Sequence, residues 1–196
     1  MSLTLTILIK GVHDMKEESE GVDIFDHTGA VTLVKSDTLN ILVDVGGRGR
    51  FPEIEKKLLE ANLKPEDINI VILTHFHLDH AFNIGFFPNA RVIGWVHEWK
   101  DGKTFRFNDI EGWSVAEGVH ILSTPGHTAE SLSVLLEMPD NQKVILAGDA
   151  INQKYIETKA VSKMVNDEAM YKKSAEKILV TANYIIPGHG ELIHLN

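Results

Sequence analysis

Four potential metal ligands lie within six residues of one segment of the chain, residues 74–80, whose sequence is Thr-His-Phe-His-Leu-Asp-His. The ligands are three imidazoles and one carboxylate: His75, His77, Asp79 and His80. Without a bound metal ion such a cluster is energetically unfavourable, because its imidazoles and carboxylate compete for the same protons. A divalent cation resolves the conflict, since it binds neutral imidazoles and ionised carboxylates. The spacing therefore predicts a metal site.

Apolar runs precede this cluster and three further potential ligands. Residues 68–73 have the pattern of a buried strand that ends at the cluster, and residues 81–85 that of a short helical turn. The same pattern recurs before His127, Asp149 and His189, each of which follows a glycine that permits a tight turn. One metal needs three or four protein ligands, so the five histidines and two aspartates are enough for two.

Alternation and helical spacing predict the elements that must position these ligands. Helical spacing covers residues 51–62 and 166–181. Strand patterns cover residues 2–9, 31–34, 40–43, 91–96, 119–123, 132–136, 144–147 and 183–186, with short strand-like pieces at 105–107 and 113–115. No linker interrupts the chain, so we expect a single domain over residues 1–196.

The composition excludes several classes of protein. Nineteen basic and 28 acidic residues give a net charge of −9, which disfavours avid binding to nucleic acid without a local basic patch. The absence of cysteine excludes disulfides and thiolate ligands. No apolar run reaches the ~20 residues of a membrane span, and no secretory leader is recognisable. We therefore expect a cytoplasmic protein that does not associate with membranes.

Residues 10–30 form a long acidic segment between two predicted strands, and two interpretations stay open for it. It is either a solvated hairpin loop or a flap over the site, because long loops in compact domains are often functional. Its acids are Asp14, Glu17, Glu18, Glu20, Asp23 and Asp26.

The combined ligand pattern resembles that of the metallo-β-lactamase-fold hydrolases, whose hallmark is His-x-His-x-Asp-His followed by separate His, Asp and His ligands. The resemblance covers nearly the whole chain, and residues 83–88 and 185–190 are most similar to the metallo-β-lactamase domain-containing protein 1 group. It implies an α/β fold, a four-layer αββα sandwich of two mixed β-sheets flanked by helices. It also implies roles for the ligands: His75, His77 and His127 would hold the first metal, Asp79, His80 and His189 the second, and Asp149 would bridge them.

The resemblance further implies that Asp44 is a buried acid that supports the ligand loops, and that Asp79 helps to orient the nucleophile. Two divalent metal ions are the expected cofactors, with Zn²⁺ preferred and Fe²⁺ or Mn²⁺ as alternatives, because His and Asp sites accept all three. Acyl-homoserine lactonases of this family place a tyrosine near the bridging aspartate, which makes Tyr155 a candidate for the substrate rim. His97, at the end of a predicted strand, is a second candidate. The other histidines are interpreted as structural or surface residues: His13, His27, His120 and His194.

Three functions remain to be compared. The first is a binuclear metal-dependent hydrolase that uses a metal-bridging hydroxide on a small ester, thioester or lactone. The second is a metal-dependent phosphodiesterase or nuclease acting on RNA or DNA, which the acidic balance disfavours. The third is a metal-binding protein with an inactive site, which the complete set of ligands disfavours. The sequence leaves a homodimer open.

Overall fold

Two mixed β-sheets face each other in the structure, a computed structural model that describes residues 2–19 and 22–195, with side chains described except at residues 15–24. The first sheet has seven strands. In spatial order they are β1 (Thr4–Ile9), β4 (Val31–Lys35), β5 (Asn40–Val43), β6 (Ile70–Leu73), β7 (Arg91–Gly94), β8 (His97–Lys100) and β9 (Lys103–Arg106).

The second sheet has six strands, and a separate hairpin and four α-helices complete the described fold. The strands in spatial order are β10 (Ser114–Ala116), β11 (Val119–Ser123), β12 (Leu132–Glu137), β13 (Lys143–Gly148), β14 (Tyr184–Pro187) and β15 (Ile193–His194). The hairpin consists of β2 (Val12–Ser19) and β3 (Val22–Thr28), and the helices are α1 (Phe51–Glu60), α2 (Leu78–Ala81), α3 (Gln153–Thr158) and α4 (Glu168–Thr181).

Side-chain alternation along the central strands divides the core into three apolar layers. In β6, Ile70 and Ile72 pack between the two sheets, whereas Val71 and Leu73 pack in the layer beneath α1. Strand β13 alternates in the same way, and its Ile145 packs in the layer beneath α4. Both faces of these strands are covered, which explains why their sequences are continuously apolar. The predicted four-layer αββα architecture is confirmed.

Several elements differ from the sequence interpretation. The acidic segment, interpreted as a solvated hairpin loop or a flap, is a hairpin whose arms are the paired strands β2 and β3, in which His13 lies opposite His27. Residues 20–21 and the side chains of residues 15–24, which include most of its acids, lie outside the described part of the chain. Helix α3 and strands β8 and β15 were not predicted, because each is short and lacks a clear period.

Parallel pairing brings the ends of the ligand-bearing strands to one edge of the sandwich. Strand β6 lies parallel to β5 and β7, and β13 lies parallel to β14. The backbone N–H of Leu132 donates to the carbonyl of Thr74 at 2.8 Å, which joins the two sheets at this edge.

Of the helices described, none combines the length and apolar character needed to cross a bilayer.

Helix α1 offers a test of the layer assignment through two adjacent leucines. Leu58 is 0% exposed and Leu59 is 55% exposed. Leu58→Ala should lower the free energy of unfolding by about 2–5 kcal/mol, because it leaves a cavity beneath the helix. Leu59→Ala is the matched control and should change it by less than about 0.5 kcal/mol. Urea denaturation measures both, and equal losses for the two variants would contradict the assignment.

Candidate metal centre

Three histidines converge at the first of two adjacent groups of ligand atoms. His75 and His77 follow β6, and His127 lies in the loop between β11 and β12. His77 Nδ1 lies 3.1 Å from His75 Nε2 and 3.0 Å from His127 Nε2. About 3.3 Å separates neighbouring ligand atoms in a tetrahedral site with zinc–nitrogen distances of ~2.0–2.1 Å. The separations of these nitrogens therefore fit a shared metal ion.

A second group forms around Asp79, which lies with His80 on the short helix α2. His80 Nε2 and His189 Nε2 each lie 3.2 Å from Asp79 Oδ2, although His189 comes from the loop after β14. The structure thus brings together an adjacent pair of residues and a third residue more than 100 positions away, as the strand-end pattern predicted.

Asp149 lies between the two groups, in the loop after β13. Its Oδ2 is 3.4 Å from His127 Nε2 in the first group and 3.5 Å from His189 Nε2 in the second. Its Oδ1 is 3.4 Å from His80 Nε2. A carboxylate in this position can contact cations at both groups.

Acceptors on the outer side of the imidazoles hold their rings in place. The Nδ1–H of His80 donates to Asp44 Oδ2 at 2.7 Å, and the Nδ1–H of His189 donates to the carbonyl of Val12 at 3.0 Å. Thr74 Oγ1 donates to Asp44 Oδ2 at 2.8 Å, which leaves its lone pairs to accept from His75 Nδ1 at 3.1 Å. With the protons on Nδ1, all three Nε2 atoms present lone pairs to the centre.

In this arrangement the lone pairs of imidazole nitrogens face carboxylate oxygens, so hydrogen-bond acceptors lie next to one another. A bound cation would relieve this repulsion. His80 Nε2 is buried and makes no well-aligned hydrogen bond within the described structure, although two carboxylates lie within 3.4 Å of it. Nitrogen and carboxylate ligands without thiolate suit zinc, iron or manganese. The residues present therefore fit divalent metal ions.

Without metal, protons supply the positive charge that the two carboxylates demand. Burial lowers the pKa of His80, but the charges of Asp44 and Asp149 outweigh it and raise the pKa well above its ordinary value. Burial likewise lowers the pKa of His189, and hydrogen bonds with Asp149 and Asp79 raise it to about 9. Burial lowers the pKa of His75 to about 2. Protons thus concentrate on the second group, where they compete with metal.

Two glycines allow the ligand loops to approach one another. A Cβ on Gly188 would lie 2.0 Å from Asp149 Oδ1 and 2.9 Å from the His80 ring. Gly148 has φ +50°, and a Cβ there would lie 2.5 Å from Thr74 Oγ1. Any larger residue at these positions would push apart the groups that orient and bridge the ligands.

A cavity of about 450 Å³ opens beside the ligands and has a mixed wall. Its lining combines ligand residues with four apolar side chains, Leu78, Ile151, Met164 and Val165, and with several polar ones. The non-ligand lining residues are His13, His27, Leu78, Ile151, Asn152, Ser162, Met164, Val165 and Tyr171. The Tyr171 hydroxyl is buried, and burial together with the Asp149 charge raises its pKa. It is therefore a protonated donor at neutral pH.

The cavity wall differs from the rim expected from the sequence. His97 begins β8 rather than ending a strand, stacks on Trp99 with ring centres 5.5 Å apart, and does not line the cavity. Tyr155 lies behind the wall, packed edge-on against Tyr171.

Three residues with titratable side chains that were not singled out from the sequence do line the cavity: His13, His27 and Tyr171. The two histidines had been interpreted as structural or surface residues. Hairpin pairing and helix packing bring all three to the wall. A glycine at position 21, before the partly alternating residues 22–28, was the one signal of the hairpin in the sequence.

Comparison with known proteins places this geometry in a family. The model of the metallo-beta-lactamase superfamily matches residues 25–120. The chain is 30% identical over 174 residues to metallo-beta-lactamase domain-containing protein 1 of Xenopus laevis, which covers 87% of this chain and 74% of that protein. It is 29% identical to the mouse protein of the same name and spans 59% of that protein's length.

A solved structure and a lactonase add to the comparison. The crystal structure of a metallo-beta-lactamase-like protein from Thermotoga maritima superposes with a TM-score of 0.76 at 22% identity, over 99% of this chain and 100% of that chain. An N-acyl homoserine lactonase from a Bacillus species is 32% identical over 106 residues, which is 47% of this chain and 42% of that protein. From its sequence, its fold and the arrangement of its histidines and aspartates, the chain belongs to the metallo-beta-lactamase superfamily of metal-dependent hydrolases.

Proposed function

We propose that this chain is a binuclear metal-dependent hydrolase of small, neutral esters, thioesters or lactones. In this proposal the first metal is held by His75, His77 and His127, and the second by Asp79, His80 and His189. Asp149 bridges the two. Zn²⁺ is the preferred ion, with Fe²⁺ and Mn²⁺ as alternatives.

The observation that carries the proposal is the mixed lining of the cavity, which combines metal ligands with apolar side chains. Leu78, Ile151, Met164 and Val165 can cover an acyl chain while its carbonyl carbon faces the ligands. A volume of about 450 Å³ suits a small molecule. Similarity to a lactonase over part of the chain supports the same class of substrate.

Metal ions bound here supply an activated water and stabilise negative charge that develops on the substrate. The chain's own residues position the reactants. Asp79, fixed on α2 and close to two imidazoles, is placed to orient the nucleophile. Tyr171 lines the cavity, and its protonated hydroxyl lies buried near Asp149.

Phosphodiester cleavage is the alternative, and the charge around the cavity disfavours it. Within the described side chains, no lysine or arginine lines the cavity, whereas recognition of a phosphate chain normally uses such cations. Asp26, at the base of the hairpin, is paired with Arg50. The net charge of −9 adds a general repulsion for polyanions.

A substrate panel tests the proposal directly. Metal-loaded protein should hydrolyse N-acyl homoserine lactones, aryl esters or S-acyl thioesters, and chelation should abolish turnover. The same preparation should leave bis(p-nitrophenyl) phosphate and single-stranded RNA and DNA uncut. Metal-dependent cleavage of nucleic acid, with no turnover of any acyl compound, would overturn the choice of substrate.

Removal of the bridging carboxylate should weaken both metal positions at once. Asp149→Ala is expected to lower the metal content from two equivalents to less than one, because Asp149 faces both groups. Asp140→Ala, in an exposed turn, is the matched control and should keep two equivalents. Elemental analysis after gel filtration measures the content, and full occupancy in Asp149→Ala would refute the bridge.

Without metal, stability should fall as the pH rises from about 6.5 to about 9. A histidine whose pKa is higher in the folded state stabilises the fold below its unfolded pKa of ~6.5, and this contribution is lost as the pH passes the folded pKa. For His189 the folded pKa is about 9, and His80 is shifted in the same direction. The lowered pKa of His75 affects the free energy of unfolding only at more acidic pH.

Urea denaturation in the presence of a chelator, at several pH values, measures this effect. His189→Gln should make the decline shallower, whereas His120→Ala, in β11 and outside the centre, should leave it as in the wild type. A free energy of unfolding that stays constant or rises between these pH values would count against the account.

The apolar wall should determine how the enzyme responds to acyl-chain length. Met164 lines the cavity and is exposed, so Met164→Glu should fold normally. It should raise KM for a long-chain substrate roughly three- to tenfold, since each buried methylene contributes ~0.8 kcal/mol. Met170→Glu, on α4 and outside the cavity, is the control. A KM that rises equally for short and long chains would argue against an acyl-binding wall.

A further inference from the structure

The β2–β3 hairpin is joined at its base to both loops that carry the second group of ligands. The backbone N–H of Gly29 donates to the carbonyl of Asp79, and that of Ala30 to the carbonyl of Gly188, each at 2.8 Å. On the other strand, the carbonyl of Val12 accepts from His189 Nδ1 at 3.0 Å. The base of the hairpin is therefore fixed relative to Asp79 and His189.

His27 extends from this fixed base toward the ligands. Its Nε2 lies 3.1 Å from Asp79 Oδ2, and its ring centre is 5.0 Å from that of His189. The next residue, Thr28, is fully buried and accepts a hydrogen bond from the backbone N–H of Gly47 at 3.0 Å. His13 packs edge-on against the His27 ring at 4.6 Å, which limits its rotation. The position of His27 is thus determined on both sides.

Three imidazole nitrogens surround the same carboxylate oxygen at nearly equal distances. Asp79 Oδ2 lies 3.1 Å from His27 Nε2 and 3.2 Å from the Nε2 atoms of both His80 and His189. The ligand atoms of His27, Asp79 and His189 all lie within 4.8 Å of one another, which is close enough for them to share one metal ion, and His80 also forms a group of this kind with His75 and Asp149. His80 and His189 direct their Nδ1 protons away from this point, to Asp44 and Val12.

We propose that His27 is an additional ligand of the second metal position, supplied by the hairpin. This proposal rests on the metal assignment made under the proposed function and extends it. The position would then have three imidazoles and Asp79 besides the bridging Asp149, a set that favours zinc, cobalt or iron over magnesium or calcium. Metal binding at this position would also hold the hairpin against the cavity.

A hydrogen bond from His27 to Asp79 is the competing explanation of the 3.1 Å distance. In that case His27 only orients a ligand, and a side chain that keeps a donor should replace it. Glutamine keeps an N–H donor but is a poor ligand for a transition metal. His27→Gln and His27→Ala therefore separate ligation from hydrogen bonding.

Titration of metal-free full-length protein with Co²⁺ provides the test. In the wild type two equivalents should bind. In His27→Ala and His27→Gln the second equivalent should bind at least ~10-fold more weakly, with an altered visible absorption spectrum, while the first equivalent stays unchanged. His120→Ala, in β11 and outside the cavity, is the matched control and should retain the wild-type affinity and spectrum.

Hydrogen exchange supplies a readout that does not depend on cobalt. Zn²⁺ should slow exchange of the β2–β3 amides in the wild type and in His120→Ala but not in His27→Ala. Wild-type affinity and spectrum of the second equivalent in His27→Gln would overturn ligation by His27 and leave the two-metal assignment intact. A wild-type protein that binds fewer than two equivalents would overturn that assignment together with this one.

Discussion

The buried carboxylate of Asp44 is the interaction on which the rest of the centre depends. It is 2% exposed, and its two oxygens accept from the backbone N–H of Thr74, from Thr74 Oγ1 and from His80 Nδ1, at 2.7–2.8 Å. These bonds fix the start of the ligand segment and one imidazole on α2, and through Thr74 they also orient His75. The backbone of Asp44 has φ +57°, an uncommon conformation for a residue with a side chain. A buried charge is costly unless it is paired, so this one is coupled to the positive charge of the centre.

The same electrostatic argument links the ligands to one another. Asp79 and Asp149 face imidazole nitrogens whose opposite sides already donate to fixed acceptors. Protons meet the demand for positive charge in the metal-free protein, and metal ions meet it in the proposed enzyme. The stability of the fold, the protonation of the histidines and the binding of metal therefore all depend on how the charge of these carboxylates is compensated. The two sheets converge at this edge, which explains why the ligands can come from distant parts of the chain without a flexible linker.

Much of the fold and of the centre could be predicted because the signals were local. His75, His77, Asp79 and His80 are consecutive or nearly so, and the apolar run before them marks a buried strand whose end locates the site. His27 gave no such signal. Its place beside Asp79 follows from the register of a hairpin that pairs it with His13, and hairpin register is set by contacts that no single segment encodes. Tyr171 reaches the cavity because α4 packs on β13 and β14, which helical spacing alone cannot specify. His97 was expected at the end of a strand because the sequence predicted a strand over residues 91–96. Strand β7 ends at Gly94 instead, and His97 begins the next strand.

The central claim is that these side chains hold two metal ions that share Asp149. Anomalous diffraction from crystals of protein purified without chelator, with data collected on both sides of the zinc absorption edge, tests it most directly. The account predicts two peaks. One should be bound by His75, His77 and His127, the other by Asp79, His80 and His189, and both should contact Asp149. A single peak in fully loaded protein, or two peaks of which one does not contact Asp149, would contradict it.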